Sequence, residues 1–373
     1  METYDVTVVG GGIGGSVAAK CLAKHGFKTL LLEKLKTPRN KSCSGIQFPY
    51  FEKLVGEKIP RDKLCTNELS RVEMIMPGGK SLKGRMRMLN FWRSTFDSWL
   101  NTLAIDAGAD FCDESKLLDF HEDEERITVQ IAAKDEQREV STRYLIGADG
   151  LNSTIRKKLQ PQDFQKKAPG GTINYYFIGD AELDPNTLYM FYDKEFAPIM
   201  FAWVYLKDDR WVIGTGADED LPEYAERFLN HIREKYALHG KIVKREGFAS
   251  PMKSGVYLGR ENVLMTGDAA GLVDLHRGLG MDNAALSGRL AAKAIIKSEK
   301  TSCPAIEPYQ RLMNKTVHKI EENARKQAAR YATNETLENS LSPLNLIKSG
   351  LLMSLAVQIN KILPAERTIM LPL

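Results

Sequence analysis

A glycine-rich segment near the start of the sequence could bind a dinucleotide. Residues 10–15 are GGGIGG, a G-x-G-x-x-G pattern that follows a β-branched apolar stretch and precedes a helix-forming one. Gly10 permits a tight turn, Gly12 lets the backbone approach a pyrophosphate, and Gly15 allows the helix to pack closely on the strand. Glu33 ends the next strand, where a carboxylate accepts hydrogen bonds from ribose hydroxyls and rejects a 2'-phosphate. The pattern predicts binding of FAD or NAD rather than NADP.

Two later motifs place an aspartate directly after an apolar strand. LIGADG ends in Asp149 and Gly150, and NVLMTGDAAG carries Gly267 and Asp268 ahead of a helix. An aspartate at such a position can meet a ribityl or ribose hydroxyl, and the helix start can meet a phosphate or the O2 edge of a flavin. Each motif alone is compatible with an ordinary capped helix start. In this order and together with the glycine loop, they favour FAD.

These motifs must be positioned by strands and helices in a fixed order. A βαβ unit is predicted from strands at Tyr4–Val9 and Phe27–Glu33 and a helix at Ser16–His25 between them. The later elements predicted to join it are a helix at Phe91–Gly108, a hairpin at 127–132 and 140–146, a strand at Asn262–Thr266 and a helix at Gly280–Lys297. Aromatic-rich strands between Gly171 and Gly216 predict a separate antiparallel sheet.

The expected architecture is therefore an α/β fold with interleaved domains. We predict a Rossmann-like FAD-binding domain, an antiparallel-sheet substrate domain inserted into it, and a helical C-terminus. The predicted boundaries are 1–45, 90–165 and 246–300 for the FAD-binding domain, 46–89 and 166–245 for the substrate domain, and 301–373 for the C-terminal helical region.

Composition argues against several classes of protein. The 373 residues carry a net charge of only +4, without a long basic block, which gives little support to nucleic-acid binding. The five cysteines form no CxxC pair or other metal-type spacing, so no metal site is predicted. The N-terminal residues lack the features of a signal peptide, which predicts a cytoplasmic protein. Residues 344–363 have an apolar face but are too polar for a transmembrane helix, and peripheral membrane contact is the alternative expectation.

The ordered motifs resemble those of the geranylgeranyl reductase family, flavoproteins of the glutathione-reductase type related to aromatic hydroxylases. The resemblance extends from Tyr4 to about Ala292 and includes RSTFDSWL at 93–100, KSCSG at 41–45 and FAWVYLK at 201–207 followed by a G-x-G. It departs from the family at Leu206, where a proline is usual, and at 275–277, where Leu-His-Arg replaces a proline-containing turn. The cofactor contacts that motif and resemblance together imply are Gly10, Gly12, Ile13, Gly14, Gly15, Glu33, Lys34, Cys43, Ser44, Gly45, Arg93, Leu117, Asp149, Gly150, Gly267, Asp268, Gly278, Gly280 and Met281.

The resemblance also implies where chemistry would occur. Cys43 would lie beside the flavin, although a small buried hydrophobe is the commonest state of a cysteine. His276 and Arg277 follow the GDAAG motif and are further catalytic candidates, although surface turn residues are the commoner alternative. The aromatic candidates for substrate contact are Tyr176, Phe191, Trp203 and Tyr205, of which strand alternation sends only some to any one face.

Three functions are compatible with these features. The leading hypothesis is an FAD-dependent oxidoreductase that reduces carbon–carbon double bonds of a prenyl-like substrate by hydride transfer, with NADPH or a redox carrier as electron donor. The alternative is a flavin-dependent monooxygenase acting through a flavin peroxide, either a hydroxylase or, since a WxWxIP motif is not matched, less favourably a halogenase. The third is a non-catalytic flavin-binding or membrane-associated partner protein.

Overall fold

A computed structural model of the chain describes residues 1–65, 67–134, 136–164, 170–249, 255–274, 277–278, 280–368 and 370. The strands are β1 Glu2–Val9, β2 Thr29–Leu32, β3 Ile46–Gln47, β4 Leu69–Ile75, β5 Ser81–Asn90, β6 Asp110–Cys112, β7 Ser115–Glu122, β8 Ile127–Ala133, β9 Glu136–Gly147, β10 Gly171–Asp180, β11 Thr187–Phe191, β12 Ala202–Lys207, β13 Arg210–Ala217, β14 His239–Ala249, β15 Gly259–Arg260 and β16 Val263–Met265. The α-helices are α1 Ile13–Ala23, α2 Phe51–Val55, α3 Arg61–Leu64, α4 Arg93–Asp106, α5 Thr154–Leu159, α6 Leu221–Lys235, α7 Met281–Thr301, α8 Ile306–Arg330, α9 Asn334–Ser340 and α10 Pro343–Asn360.

The first sheet is mainly parallel, with β1 at its centre, and only the pairs β15-β16, β7-β8 and β8-β9 are antiparallel. Its strand order is β15-β16-β9-β1-β2-β6, and the hairpin β7-β8 extends from β9. β1 pairs in parallel with β2 and with β9, which brings together the carboxyl ends of these strands. Those ends carry the glycine loop, Glu33 and the GADG motif. Ligands of open α/β sheets bind at this edge, so the topology assembles the predicted motifs at one place.

The second sheet has the order β14-β10-β13-β12-β11-β4-β5-β3. Its pairs are antiparallel except β4 with β11, which are parallel. Because side chains alternate along a strand, the sheet has two apolar faces. On β10, Tyr175 and Phe177 belong to one hydrophobic cluster and Tyr176 belongs to another.

Each face of the second sheet is covered by different helices. One face packs against α6, where Phe228 and Ile232 are fully buried. The other face, including β3, packs against the C-terminal helices α9 and α10. We call this hydrophobic group the inner cluster. Its buried members are Ile46, Phe48, Leu69, Met88, Tyr176, Leu188, Met190, Tyr192, Tyr205, Val212, Tyr331, Leu337, Leu341 and Ala356. A third cluster fills the space around the parallel sheet.

The α/β architecture predicted from the sequence is confirmed, with a Rossmann-like unit, a second sheet and a helical C-terminal region. Helix α1 begins at Ile13, three residues before the predicted start, because the chain turns into the helix within the glycine loop itself. The strands β4 and β5 were not predicted from the sequence. None of the helices in the described ranges has the length and apolarity that a bilayer crossing requires.

Candidate active site

The glycine loop between β1 and α1 has the close packing that its sequence predicts. Gly10 has φ +112°, and a Cβ there would lie 2.3 Å from the carbonyl oxygen of Ala148. A Cβ on Gly15 would lie 2.0 Å from the carbonyl oxygen of Gly10. At Gly12 the nearest atom to a Cβ would be the Arg39 Nη2, at 3.3 Å. Gly10 and Gly15 thus allow the turn and the packing, whereas Gly12 borders more open space.

The N-terminus of α1 is suited to a phosphate group. Gly12 is the N-cap, no side chain caps it, and the first turn carries no acidic residue. The first backbone N–H groups of a helix lack partners within the helix and carry the positive end of its dipole. A pyrophosphate supplies the acceptors that these groups need.

Glu33 lies beside the loop with both carboxylate oxygens engaged. Its Oε2 accepts hydrogen bonds from Gly11 N at 3.2 Å and from Arg39 Nε at 2.7 Å, and its Oε1 accepts from Leu35 N at 3.0 Å. The side chain is buried at the end of β2. The adjoining Lys34, also a predicted cofactor contact, is exposed.

A chain of charged contacts extends from Glu33 to Cys43. The Arg39 Nη1 lies 3.1 Å from Asp97 Oδ2, and Asp97 receives two hydrogen bonds of 2.8 Å from Arg93. Arg93 in turn lies beside the Cys43 side chain. Burial works to lower the pKa of Arg93, but Asp97 and Cys43 raise it above its usual value, so the guanidinium stays charged. The network links the predicted ribose-binding end of the site to the predicted flavin-binding end.

The GADG motif at the end of β9 presents a buried carboxylate. Asp149 Oδ2 accepts a hydrogen bond of 2.7 Å from Thr154 N, near the start of α5. Its Oδ1 is buried without a hydrogen-bond partner among the described residues. Burial raises the pKa of Asp149, against the hydrogen bonds from Ser153 and Thr154 that lower it. The free oxygen is an acceptor for a hydroxyl group of a ligand, as a ribityl chain would supply.

The GDAAG motif after β16 is tied to the KSCSG segment. Asp268 Oδ2 accepts a hydrogen bond of 2.8 Å from Lys41 Nζ. Burial works to raise the pKa of Asp268, but the charge of Lys41 holds it below its usual value, so the carboxylate is ionised. The Gly267 N–H donates to Ser287 Oγ of α7 at 3.0 Å, which fixes the turn against that helix.

A groove runs between these three loops and the KSCSG segment. The predicted cofactor residues that line it are Gly12, Ile13, Gly14, Cys43, Ser44, Arg93, Gly150, Gly267, Asp268, Gly278, Gly280 and Met281. The predicted residues outside this lining are Gly10, Gly15, Glu33, Lys34, Gly45, Leu117 and Asp149. Of these, Leu117 is buried in the core of the parallel sheet. Gly45 has φ +66°, and a Cβ there would lie 1.9 Å from the Phe91 carbonyl oxygen.

The turn after GDAAG is only partly described. His276 lies outside the described residues. Arg277 Nε donates to Asp274 Oδ2 at 2.6 Å, and Asn323 of α8 donates to the same oxygen at 2.7 Å. Arg277 therefore pairs with Asp274, and Asp274 is the residue that ties the turn to α8.

The four aromatic candidates do not share a face of the second sheet. Tyr176 and Tyr205 are buried in the inner cluster, and Trp203 packs against it. Phe191 lies on the opposite face, where its ring centroid is 5.0 Å from that of Phe228. The structure thus separates Phe191 from the groove side of the sheet. The sequence alone did not define the register in which adjacent strands pair, so it did not define which of these aromatic side chains share a face.

Lys207 is a buried cation that sequence reasoning did not single out, although it ends the FAWVYLK motif. Its Nζ donates hydrogen bonds to the carbonyl oxygens of Ser44 and of Phe91, the latter at 3.0 Å, and lies 4.8 Å from the centre of the Trp92 ring. Burial lowers the pKa of Lys207 to about 8. Arg39 was also missed because it lies in a loop without a motif, and Lys41 was missed as a site residue although it opens the KSCSG segment.

Asp282 is a second buried titratable group near the groove. It follows Met281 in the first turn of α7, and its Oδ2 accepts a hydrogen bond of 2.7 Å from the Tyr50 hydroxyl. Burial raises the pKa of Asp282 to about 7. Among the described residues, no group of His, Cys, Asp and Glu side chains is arranged to hold a metal ion.

Comparison with known proteins places these features in a family. Residues 68–304 match the family model described as an FAD binding domain, and residues 8–41 match a model of NAD(P)-binding Rossmann-like domains. Digeranylgeranylglycerophospholipid reductase 2 of Methanopyrus kandleri is 30% identical over 82% of this chain and 81% of its own length.

Solved structures show the same relationship. A geranylgeranyl bacteriochlorophyll reductase-like protein of Thermoplasma acidophilum superposes with a TM-score of 0.82 at 25% identity, with 92% of each chain covered. The p-nitrophenol 4-monooxygenase of Pseudomonas putida has a TM-score of 0.71 at 18% identity, over 94% of this chain and 98% of its own, which shows a shared fold alone. The chain is an FAD-dependent oxidoreductase and belongs to the geranylgeranyl reductase family.

Proposed function

We propose that this enzyme reduces carbon–carbon double bonds of an apolar, prenyl-like substrate with reduced FAD. The observation that carries the proposal is the continuity between the groove and the inner cluster. Ile46 lines the groove next to the KSCSG segment and is also a buried member of that cluster. An isoprenoid chain requires such an apolar surface beside the flavin. The relative from Methanopyrus kandleri carries the name of a reductase of geranylgeranyl lipids.

The chain's own residues would bind and orient the cofactor. The N-terminus of α1 at Gly12 would receive the pyrophosphate, and Glu33 with Arg39 would meet the adenosine end. Asp149 Oδ1 is a free acceptor for a ribityl hydroxyl. The start of α7 at Gly280 and Met281, which borders the groove, would meet the isoalloxazine. We propose the other cofactor contacts predicted from the sequence on the same basis.

The chemistry requires a hydride at one alkene carbon and a proton at the other. Reduced FAD, when bound, supplies the hydride. Cys43 lines the groove and contacts Arg93, so its thiol is placed to donate the proton or to position the alkene. We assign no proton transfer to Arg277, because a guanidinium does not release its proton at neutral pH and this one pairs with Asp274.

The electron donor belongs to the proposal as well. The sequence has one G-x-G-x-x-G loop, and we assign that loop to FAD. NADPH would then bind transiently, or a redox carrier would deliver the electrons. Anaerobic reduction of the holoenzyme by NADPH, followed through the visible absorption of the flavin, separates these two routes.

The decisive experiment follows flavin reoxidation in the absence of oxygen. The holoenzyme is reduced with dithionite, mixed anaerobically with a geranylgeranyl lipid dispersed in detergent, and monitored by its visible absorption. We expect reoxidation with this lipid and none with its fully saturated counterpart. If the reduced enzyme instead reacts productively only with oxygen and yields a hydroxylated product, the monooxygenase alternative replaces the proposal. If neither the geranylgeranyl lipid nor oxygen reoxidises the reduced flavin, the result would indicate a non-catalytic flavoprotein.

A further inference from the structure

Helix α10 exposes a continuous apolar surface. Leu344, Ile347, Leu351, Leu352 and Leu355 are each more than half exposed, and Ile362 just beyond the helix is 84% exposed. Elsewhere in the described chain, exposed large hydrophobic side chains are scattered singly. Single exposed apolar residues need no explanation, whereas a contiguous group indicates a binding surface. We refer to these six residues as the outer face.

The opposite side of α10 is fixed to the protein. Ala356 and Asn360 are buried, and Met353 packs against the inner cluster. Lys53 of α2 clamps the end of the helix by donating hydrogen bonds to the carbonyl oxygens of Asn360 and of Leu363, the latter at 2.7 Å. At 3.6 residues per turn, the outer face points away from these anchors. The protein therefore holds the apolar side chains outward.

The charges on α10 and the turn after it are positive. Residues 342–365 contain neither aspartate nor glutamate, whereas Lys348 and Lys361 are both exposed. The next acid toward the C-terminus, Glu366, lies 3.8 Å from Arg289 and 3.5 Å from Lys293, which offset its charge. Apolar side chains mixed with lysines and free of acids match the boundary of an anionic lipid bilayer, where the chains enter the acyl region and the lysines meet lipid phosphates.

We propose that α10 lies on the surface of an anionic membrane through its outer face. The inner side of the same helix belongs to the inner cluster, which reaches the groove at Ile46. A prenyl chain leaving the bilayer at α10 would thus meet apolar side chains on its way to the flavin groove. This last step rests on the proposed function, whereas membrane binding itself does not.

The test uses the full-length holoprotein and lipid vesicles. Flotation is measured with vesicles of phosphatidylcholine alone and with vesicles that contain phosphatidylglycerol as well. We expect wild type to float with the anionic vesicles. The double variant Leu351→Gln/Leu355→Gln should bind about tenfold more weakly or worse, because it removes buried apolar area at the bilayer. Lys348→Gln/Lys361→Gln should lose binding to a similar extent, since each lysine near an anionic surface contributes about fivefold.

The control variant is Ile105→Gln, which alters an exposed apolar residue on α4. Its vesicle binding should equal that of wild type. All substituted side chains are exposed, so FAD content and thermal stability should be unchanged in each variant. Equal flotation of wild type and the leucine variant would overturn the proposal. A second result would also overturn it: sedimentation shows that wild type is a dimer that fails to bind vesicles, whereas the leucine variant is a monomer. The outer face would then contact a second copy of the chain.

The outcome is separable from that of the proposed function. Reoxidation by a detergent-dispersed lipid does not require a bilayer. If reoxidation occurs but vesicle binding does not, the membrane proposal alone is wrong. If the vesicles bind but no alkene reoxidises the flavin, the membrane proposal stands and the proposed reduction is wrong.

Discussion

Lys207 donates a hydrogen bond from its Nζ to the carbonyl oxygen of Ser44, the residue that follows Cys43. Lys207 ends β12 of the second sheet, whereas Ser44 belongs to the segment that borders the groove. The same amine donates to the Phe91 carbonyl at 3.0 Å, two residues before α4. One buried side chain thus joins the second sheet to both segments that carry Cys43 and Arg93.

The first prediction concerns the pH dependence that Lys207 confers. Burial lowers its pKa from 10.5 to about 8. Below pH 8 the amine is protonated in both the folded and the unfolded chain. Burial of the charged amine then lowers the free energy of unfolding by its full amount. Between pH 8 and 10.5 the folded chain binds fewer protons, so the free energy of unfolding rises with pH, by at most about 3 kcal/mol. Lys207→Met should abolish this rise.

The measurement is urea unfolding of wild type and Lys207→Met across that pH range, at constant saturating FAD because bound cofactor also stabilises the folded state. Lys80→Met is the matched control, since Lys80 is exposed. Its pH dependence should follow wild type. Identical pH dependence in wild type and Lys207→Met would show that Lys207 does not have a lowered pKa.

Cys43 should affect turnover more than cofactor binding. If the thiol protonates or positions the alkene, Cys43→Ser should retain the flavin spectrum and slow substrate-driven reoxidation at least about tenfold, or ~1.4 kcal/mol in barrier. Anaerobic stopped-flow measurements compare wild type, Cys43→Ser and Cys43→Ala. Cys303→Ser is the control, because Cys303 lies between α7 and α8. Full flavin loading and turnover in Cys43→Ala would assign Cys43 a packing role only.

Glu33 should contribute to FAD affinity. Glu33→Ala removes a charge-assisted acceptor for a ribose hydroxyl, at a cost of roughly 1.5 to 3 kcal/mol. It also removes the partner of Arg39 and of Gly11 N. Titration of the apoprotein with FAD, followed by flavin fluorescence, should therefore show about ten- to hundredfold weaker binding. Glu124→Ala changes an exposed acid and should bind as wild type does. Unchanged affinity in Glu33→Ala would mean that the carboxylate does not meet the cofactor.

The sequence predicted the backbone of this site better than its side-chain contacts. Gly10 and Gly15 are required by local geometry, since a Cβ at either would overlap a backbone atom, and such a requirement leaves a short motif. The link from Arg39 to Asp97 joins residues far apart in the chain and depends on how α4 packs beside the loop. No periodicity or spacing encodes that contact. Strand alternation predicted two faces, but only the pairing register assigns Phe191 to the face that packs against α6.

Asp282 provides the last prediction, because its carboxyl group titrates close to neutral pH beside the groove. Burial raises its pKa from 3.8 to about 7, while the hydrogen bond from Tyr50 acts to lower it. Between these two values the folded chain binds more protons than the unfolded chain, so the free energy of unfolding falls as pH rises, by at most about 4 kcal/mol. The contribution is constant above pH 7.

Asp282→Asn should remove this fall. The free energy of unfolding of Asp282→Asn minus that of wild type should therefore be larger at pH 8 than at pH 4. Tyr50→Phe should extend the fall to higher pH, because the carboxylate loses a donor and its pKa in the folded chain rises further. Asp62→Asn, an exposed acid, should behave as wild type. Urea unfolding at saturating FAD across this range checks all four proteins, and a wild-type profile parallel to that of Asp282→Asn would contradict a raised pKa at this carboxyl.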